Sequence, residues 1–316
     1  MKAGNARWAL AVLSVFAAGR IWGAGTSGAN LLKVSAGARG LAMASAQTAL
    51  SGDLAPLLAN PSLLGAVGRR SIMLMHWPGI ADMQTEFLSY SLPVSKMGMW
   101  AATVLFRSFP AIDNGVPGEA PVEVNDGMIM MTFARGAGKR KTNLGASLKL
   151  FNSTIGDAKA TSMALDLGAF GKPAGLKYIN YGVGVTNLGA PIKHESVGEP
   201  LPLAIRTGAS YSRKFDPHYL TVASDMQINL EQDLRLGIGA EWLQAGHLAL
   251  RAGCWYQRFA PRNFTFPGNF TFGAGWRFRS VMLGPEAEYS LDYAYLPFTL
   301  LSQYMPTHAF SVFIKF

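Results

Sequence analysis

The sequence predicts an all-β chain, a 14-stranded antiparallel transmembrane β-barrel with a small helical N-terminal plug, or hatch. Three observations carry this expectation. From about residue 70 onward, apolar side chains recur with a period of two. No later stretch approaches 18 uninterrupted apolar residues, so no helix of the mature chain is available to cross a bilayer. The composition is also wrong for a soluble enzyme: charged residues make up 15% and glycine 35 of 316 residues, against roughly 25% and 7% in typical soluble domains. With 49% apolar residues the chain can form a core or a lipid-facing surface, which excludes disorder.

The amino terminus reads as an export signal over residues 1–25. Lys2 and Arg7 precede an apolar run from Trp8 to Ala18, the length of a signal-peptide core and too short to span. Gly23 and Gly25, or alternatively Ala17 and Gly19, supply the small residues of a cleavage site. No cysteine ends the segment, so a lipid-modified terminus is not expected; Cys254 is the only cysteine, and no disulfide can form within the chain. The net charge of +9 comes without a basic amphipathic helix or an aromatic-studded basic run, so no nucleic-acid partner is expected.

Strands are expected at roughly 70–77, 83–91, 97–107, 127–135, 142–152, 161–171, 177–187, 203–213, 218–227, 233–243, 246–256, 269–279, 284–295 and 307–316. Leu144, Ala146, Leu148 and Leu150 alternate with Asn143, Gly145, Ser147 and Lys149; Leu236, Ile238, Ala240 and Trp242 alternate with Arg235, Gly237, Gly239 and Glu241. One face is apolar and the other carries glycine, hydroxyl and charge, the lipid-out, lumen-in pattern of a closed barrel. An even strand number with both ends in the periplasm makes the odd-numbered connections the outer loops, and the longest, 108–126, 188–202, 257–268 and 296–306, are all odd-numbered. Phe310, Val312, Ile314 and Phe316 share one face of the last strand, and an aromatic final residue resembles the signal read by the barrel-assembly machinery.

Residues 26–69 lack the strand rhythm and are rich in small residues, which suits short helices packed in the lumen of the barrel formed by 70–316. Here the chain resembles a known family. Gly25-Thr26-Ser27-Gly28-Ala29-Asn30-Leu31-Leu32-Lys33, Gly37-Ala38-Arg39, Ala46 through Asp53 and Ala59-Asn60-Pro61-Ser62-Leu63 are similar to the amino-terminal region of the PorV/PorQ family, itself related to FadL fatty-acid transporters. Ser62 and Leu63 stand where that family has Ala and Gly. The similarity resumes at Glu86–Tyr90, Pro200–Gly208, Leu250–Gly253 and Leu291–Tyr295. It implies a fourteen-stranded barrel with an internal plug, in which Asn60, Pro61 and Asp53 are the plug candidates. It also implies either an outer-membrane channel for hydrophobic or amphipathic molecules such as long-chain fatty acids, or a carrier or adaptor for secreted proteins.

Motifs for other chemistry fail on spacing. Gly136-Ala-Gly-Lys-Arg-Lys-Thr142 resembles the end of a phosphate loop, but the first glycine would fall at Phe133 and Arg140 replaces the Ser/Thr. The five histidines are scattered, no serine sits in a Gly-x-Ser-x-Gly elbow, and no catalytic residue, metal site or cofactor is expected. Asp166, Arg206, Arg235, Glu241, Arg251, Arg277, Glu288 and Asp292 fall on the polar face and are expected in the lumen, where they contact a ligand or anchor the plug through ion pairs. In the last outer connection Leu296, Phe298, Leu300, Leu301, Tyr304 and Met305 are apolar where water is expected, which makes them candidates for capturing an acyl chain. Expected partners are hydrophobic small molecules and outer-membrane lipids, at a bacterial outer membrane.

Overall fold

The computed structural model describes residues 27–94, 97–113, 115, 120–137, 142–194, 197–229, 234–257, 269–283, 286–300 and 303–316, and of 197, 283, 298–300 and 303–305 the backbone alone. The expected signal segment and Leu301 lie outside these residues.

Fourteen antiparallel strands close into a barrel. They are β1 (Ser71–Pro78), β2 (Gln84–Val94), β3 (Gly98–Ser108), β4 (Val124–Ala137), β5 (Thr142–Ile155), β6 (Ala158–Gly171), β7 (Ile179–Gly189), β10 (Ala204–Phe215), β11 (His218–Asn229), β12 (Leu234–Gln244), β13 (Leu248–Gln257), β14 (Phe270–Arg279), β15 (Glu288–Leu300) and β16 (Gln303–Lys315). A separate two-stranded hairpin, β8 (Ile192–His194) with β9 (Val197–Glu199), interrupts the connection between β7 and β10. Closure is made by β1 on β16, with Ser71 opposite Lys315 and His76 opposite Phe310. Among the described residues no strand of the barrel has an unpaired edge, as a lipid-embedded sheet requires.

The alternation decides which face meets lipid. Leu148 and Leu250 are 51% and 50% exposed, while their neighbours Ser147 and Arg251 are 1% and 4% exposed. The apolar face therefore looks outward and the glycine, hydroxyl and charge face looks into the bore. Bacterial barrels turn tightly in the periplasm and carry their longer loops outside. By that rule the edge holding Ser71, Phe316 and the turns 216–217 and 245–247 is periplasmic, and the edge holding the connections 109–123, 190–203 and 258–269 is the outer one.

Two expected outer connections are mostly wall. Residues 153–160 contract to a two-residue turn between Ile155 and Ala158, with Ile155 opposite Ala158. More consequential is 296–306: β15 and β16 stay in register up to Leu300 opposite Gln303, so the expected surface loop is the extended tip of a hairpin. Its period of two was masked by Pro297 and Pro306, which face each other across the ladder. Leu296 is buried and does not face water.

The segment 27–69 enters the barrel. It holds only short helical pieces of one or two turns: 3-10 helices at Asn30–Lys33, Ala55–Leu58 and Pro61–Ala66, and one α-turn at Ala38–Leu41. Turns this short leave most of their peptide N–H and C=O groups without an internal partner. Buried as they are, those groups need partners from the wall.

Candidate functional site

The bore is filled by this segment, and its contacts divide the wall into two arcs. Along β10 to β16, polar side chains of the wall serve the segment's backbone. The Asp225 carboxylate accepts from the N–H groups of Gln47 and Thr48 at 3.0 and 2.9 Å and from the Thr48 hydroxyl at 2.7 Å. Thr271 Oγ1 donates to the Ala42 carbonyl at 2.9 Å and accepts from Ala44 N–H at 3.1 Å. Ser210 donates to the Ala49 carbonyl at 2.7 Å, and Ser311 accepts from Ala38 N–H at 3.2 Å. Glycines on the same arc let the two backbones touch: a Cβ on Gly239 would lie 2.5 Å from the Met43 carbonyl oxygen. A glycine is required there by proximity rather than by its dihedral angles.

One charged clamp ties the segment to the wall. Arg39 donates through Nε and Nη2 to both carboxylate oxygens of Glu241, at 2.9 and 3.0 Å, and through Nη1 to Asp53 at 3.2 Å and to the Ser51 carbonyl at 3.0 Å. Glu241 also accepts from Arg251 Nε at 2.7 Å and from Arg277 at 3.2 Å, and Arg251 reaches Asp292 at 2.8 Å. Three guanidiniums and three carboxylates thus neutralise one another where water is scarce, which is how buried charge is tolerated. A cavity of about 890 Å³, lined by Arg39, Asp53, Glu241, Arg277, Glu288 and Phe313 among others, opens below the clamp at the periplasmic edge.

A second node lies on β5 to β7. Lys149, 1% exposed, meets Asp166 and Asn187, each at 2.7 Å. The register slips between Leu165 and Leu167 on β6. At this bulge Asn187 has a φ of 65° and its N–H donates to Asp166 at 2.7 Å. Its amide reaches the carbonyls of Leu32 in the segment, at 3.3 Å, and of Pro202 in the β7–β10 connection, at 3.0 Å.

The Asn60-Pro61 turn sits against this side. Asn60 Oδ1 accepts from Ser62 N–H at 3.1 Å, as a helix N-cap does, and Nδ2 donates to the carbonyls of Thr48 and of Ala169 on β6, at 2.9 and 3.1 Å. Pro61 occupies the first helical position, where its missing N–H costs nothing.

The other arc, on β1 to β5, carries an apolar row beside the buried, mutually bonded hydroxyl pairs Ser89–Thr103 and Thr132–Ser147. Met75, Phe87, Leu105, Met128 and Phe151 stand directly opposite one another from strand to strand. All five are buried and pack in one cluster with Leu31, Leu32 and Leu58 of the segment.

Of the residues singled out in the sequence, Asp166, Arg206, Glu241, Arg251 and Asp292 are buried in the bore. Arg251, Glu241 and Asp292 come together in the clamp with Arg277, and Asp53 joins them from the segment. Glu288 lies at the periplasmic edge, bonded to Arg279 at 3.0 Å and half-exposed. Arg235 sits apart, with its guanidinium 5.5 Å from the centre of the Trp255 ring. Arg206 is 5% exposed and makes no hydrogen bond or ion pair with any described residue, although the carboxylates of Asp225 and Asp166 are near enough to act on its charge. Sequence reasoning passed over the functions of Arg39, Lys149, Asn187 and Asp225. Asp225 shared the inward parity of Ala223 and could have been found by it; the other three depend on partners contributed by other elements: Arg39 by β12, and Lys149 and Asn187 by neighbouring strands and the luminal segment.

A further concavity, about 820 Å³, lies on the outward face across β1–β3 and β13–β16. Leu74, Leu88, Phe106, Trp276, Phe310 and Val312 line it from the lipid-facing side of the wall.

No family model matches the chain, and no curated protein does. Among solved structures, the toluene transporter TodX of Pseudomonas putida is similar with a TM-score of 0.57 at 13% identity, covering 89% of this chain and 98% of that one. A FadL homologue of Pseudomonas aeruginosa is similar with a TM-score of 0.54 at 12% identity, covering 90% and 98%. A TodX deltaS2 mutant, described as a monoaromatic hydrocarbon channel, gives 0.57 at 12% identity over 89% and 98%. At these identities the likeness is one of fold, a closed antiparallel barrel like those of TodX and the FadL homologue.

Proposed function

We propose that this chain is an outer-membrane channel for the uptake of hydrophobic or amphipathic small molecules, long-chain fatty acids among them, with residues 26–69 as its plug. The observation that carries the reading is the row Met75, Phe87, Leu105, Met128 and Phe151 on the inner wall. General porins line their bore with polar groups for water. An unbroken apolar stripe inside a barrel offers nothing to ions or sugars and suits a chain of CH₂ groups. The fold neighbours are named for a fatty-acid transporter homologue and a toluene transporter, which supports the same class of cargo. The plug role is supported by the burial of the segment and by the clamp on Arg39.

Within that class, Arg206 selects for an acid headgroup. Asp225 and Asp166 offset its charge at a distance but leave its buried Nε without a hydrogen-bond partner, and a carboxylate entering the bore would supply two charge-assisted hydrogen bonds. The test compares binding of a labelled long-chain fatty acid and of toluene to wild type and to Arg206→Gln. Loss of a charged hydrogen bond, about 1.5–3 kcal/mol, corresponds to roughly ten- to hundredfold weaker fatty-acid binding, with toluene unaffected. Wild-type protein that binds neither compound would overturn the channel reading. Equal fatty-acid binding in both proteins would overturn the role of Arg206 alone.

A further inference from the structure

We propose that the outward face of the periplasmic edge between β7 and β10 seats the phosphodiester headgroup of an anionic glycerophospholipid, held by Lys177 and Arg213. The two cations share one ring. Arg213 Cζ lies 5.4 Å from the centre of Tyr178 and 4.9 Å from that of Phe215, and Lys177 Nζ lies 5.5 Å from the same Tyr178. Tyr211 meets Tyr178 edge-on at 6.1 Å and supports it from the wall. Arg213 follows the parity of Ile205, Thr207 and Ala209, opposite to that of the buried Ala204, Arg206 and Ser210, and so points away from the bore.

Both cations are exposed, and neither makes an ion pair with a described carboxylate; the adjacent Asp216 is engaged by Lys214 at 2.7 Å. Two uncompensated positive charges over one ring make a local field that favours an anion. Arginine offers its planar fork to two phosphate oxygens and lysine adds a point charge.

Location distinguishes a lipid from a dissolved anion. The pair sits where the strands end, level with the aromatic residues that mark a membrane interface, and Tyr211 and Phe215 continue from it onto the lipid-facing wall. A ligand that satisfies both surfaces has a negative head and an apolar body. The two edges of the barrel also differ in sign. The periplasmic edge exposes Arg70, Arg135, Lys172 and Arg213 with Asp216 against them, whereas the outer edge exposes Asp82, Asp113, Glu123 and Asp157 with Lys159 and Lys193 against them. A basic rim is therefore set against the inner leaflet of the membrane.

The experiment is native mass spectrometry of the folded barrel in detergent with phosphatidylglycerol or phosphatidylcholine of equal chain length. Wild type is expected to retain phosphatidylglycerol in preference to phosphatidylcholine. Each basic residue near an anionic surface is worth roughly a fivefold change in affinity, so K177Q/R213Q should weaken phosphatidylglycerol binding by about thirtyfold. Heat-modifiable gel mobility should stay as in wild type, because neither side chain takes part in the ladder. Equal retention of the two lipids by wild type, or unchanged retention of phosphatidylglycerol by the variant, would overturn the proposal. So would complete displacement of the lipid by millimolar inorganic phosphate, which would reduce the site to one for a free anion.

Discussion

Arg39→Met isolates the hold of the barrel on its luminal segment. The substitution keeps much of the apolar stem and removes the guanidinium, with its two bonds to Glu241, one to Asp53 and one to the Ser51 carbonyl. Glu241 keeps Arg251 and Arg277, so the wall does not acquire a bare carboxylate, and Asp53 keeps the Ala55 N–H at 3.1 Å. The loss therefore falls on the attachment between segment and wall. Removing one partner of a buried ion pair costs about 3–5 kcal/mol. At 1.4 kcal/mol per factor of ten, a loss of about 4 kcal/mol raises the displaced population of the segment roughly a thousandfold. In planar bilayers the variant should show openings that wild type rarely shows, and a protease added from the periplasmic side should cut within residues 27–69. Barrel assembly should be unchanged, since Arg39 contributes nothing to the strand ladder. Wild-type conductance together with wild-type protease resistance would show that the clamp is not what retains the segment.

Three further outcomes test the architecture. Leu148→Arg places a charge on the lipid-facing wall at 51% exposure and should destabilise insertion into vesicles by about 2–4 kcal/mol, read from urea-dependent refolding; no loss would contradict the assigned register. Gly239→Val pushes a side chain into the Met43 backbone and should unseat the segment at a cost of about 1–3 kcal/mol, measured as faster proteolysis of residues 27–69 in an assembled barrel. Lys149→Met leaves Asp166 buried without its cation and should lower stability by about 3 kcal/mol, with recovery in K149M/D166L; a double variant as unstable as the single one would place the defect elsewhere.

The wall was legible because its rule is local. Leu144 to Leu150 declare their faces by alternation alone, and neighbouring strands repeat the pattern, so both strand number and orientation follow from a few residues at a time. The rule fails where a local cue argues the other way. Pro297 and Pro306 read as a loop, yet at a hairpin tip their missing N–H groups interrupt a ladder that continues past them. The hairpin of β8 and β9, three residues per strand, is too short to show any period. Inside the bore the limits are of another kind. Glu241, Arg251 and Asp292 could be placed on the inward face, but their mutual contacts require the order β12, β13, β14, β15 around the wall. Arg39 lies in a segment without periodicity, about 200 positions from Glu241 in the chain. The Lys149, Asp166 and Asn187 node needs three strands and a register slip, which no pattern within a single strand announces.

The apolar arc of the bore is built from an unusual material. Met73, Met75, Met99, Met128 and Met130 are all buried there, against hydrogen-bonded peptide groups on the opposite arc. Thioether side chains have three rotatable bonds and no directional demands, so they repack around guests of different outline at little cost. The polar arc can stay intact while this one deforms. In the proposed uptake role, a bore lined in this way would discriminate by bulk and wettability rather than by shape, and so admit a broad menu of cargo in place of a single fitted substrate.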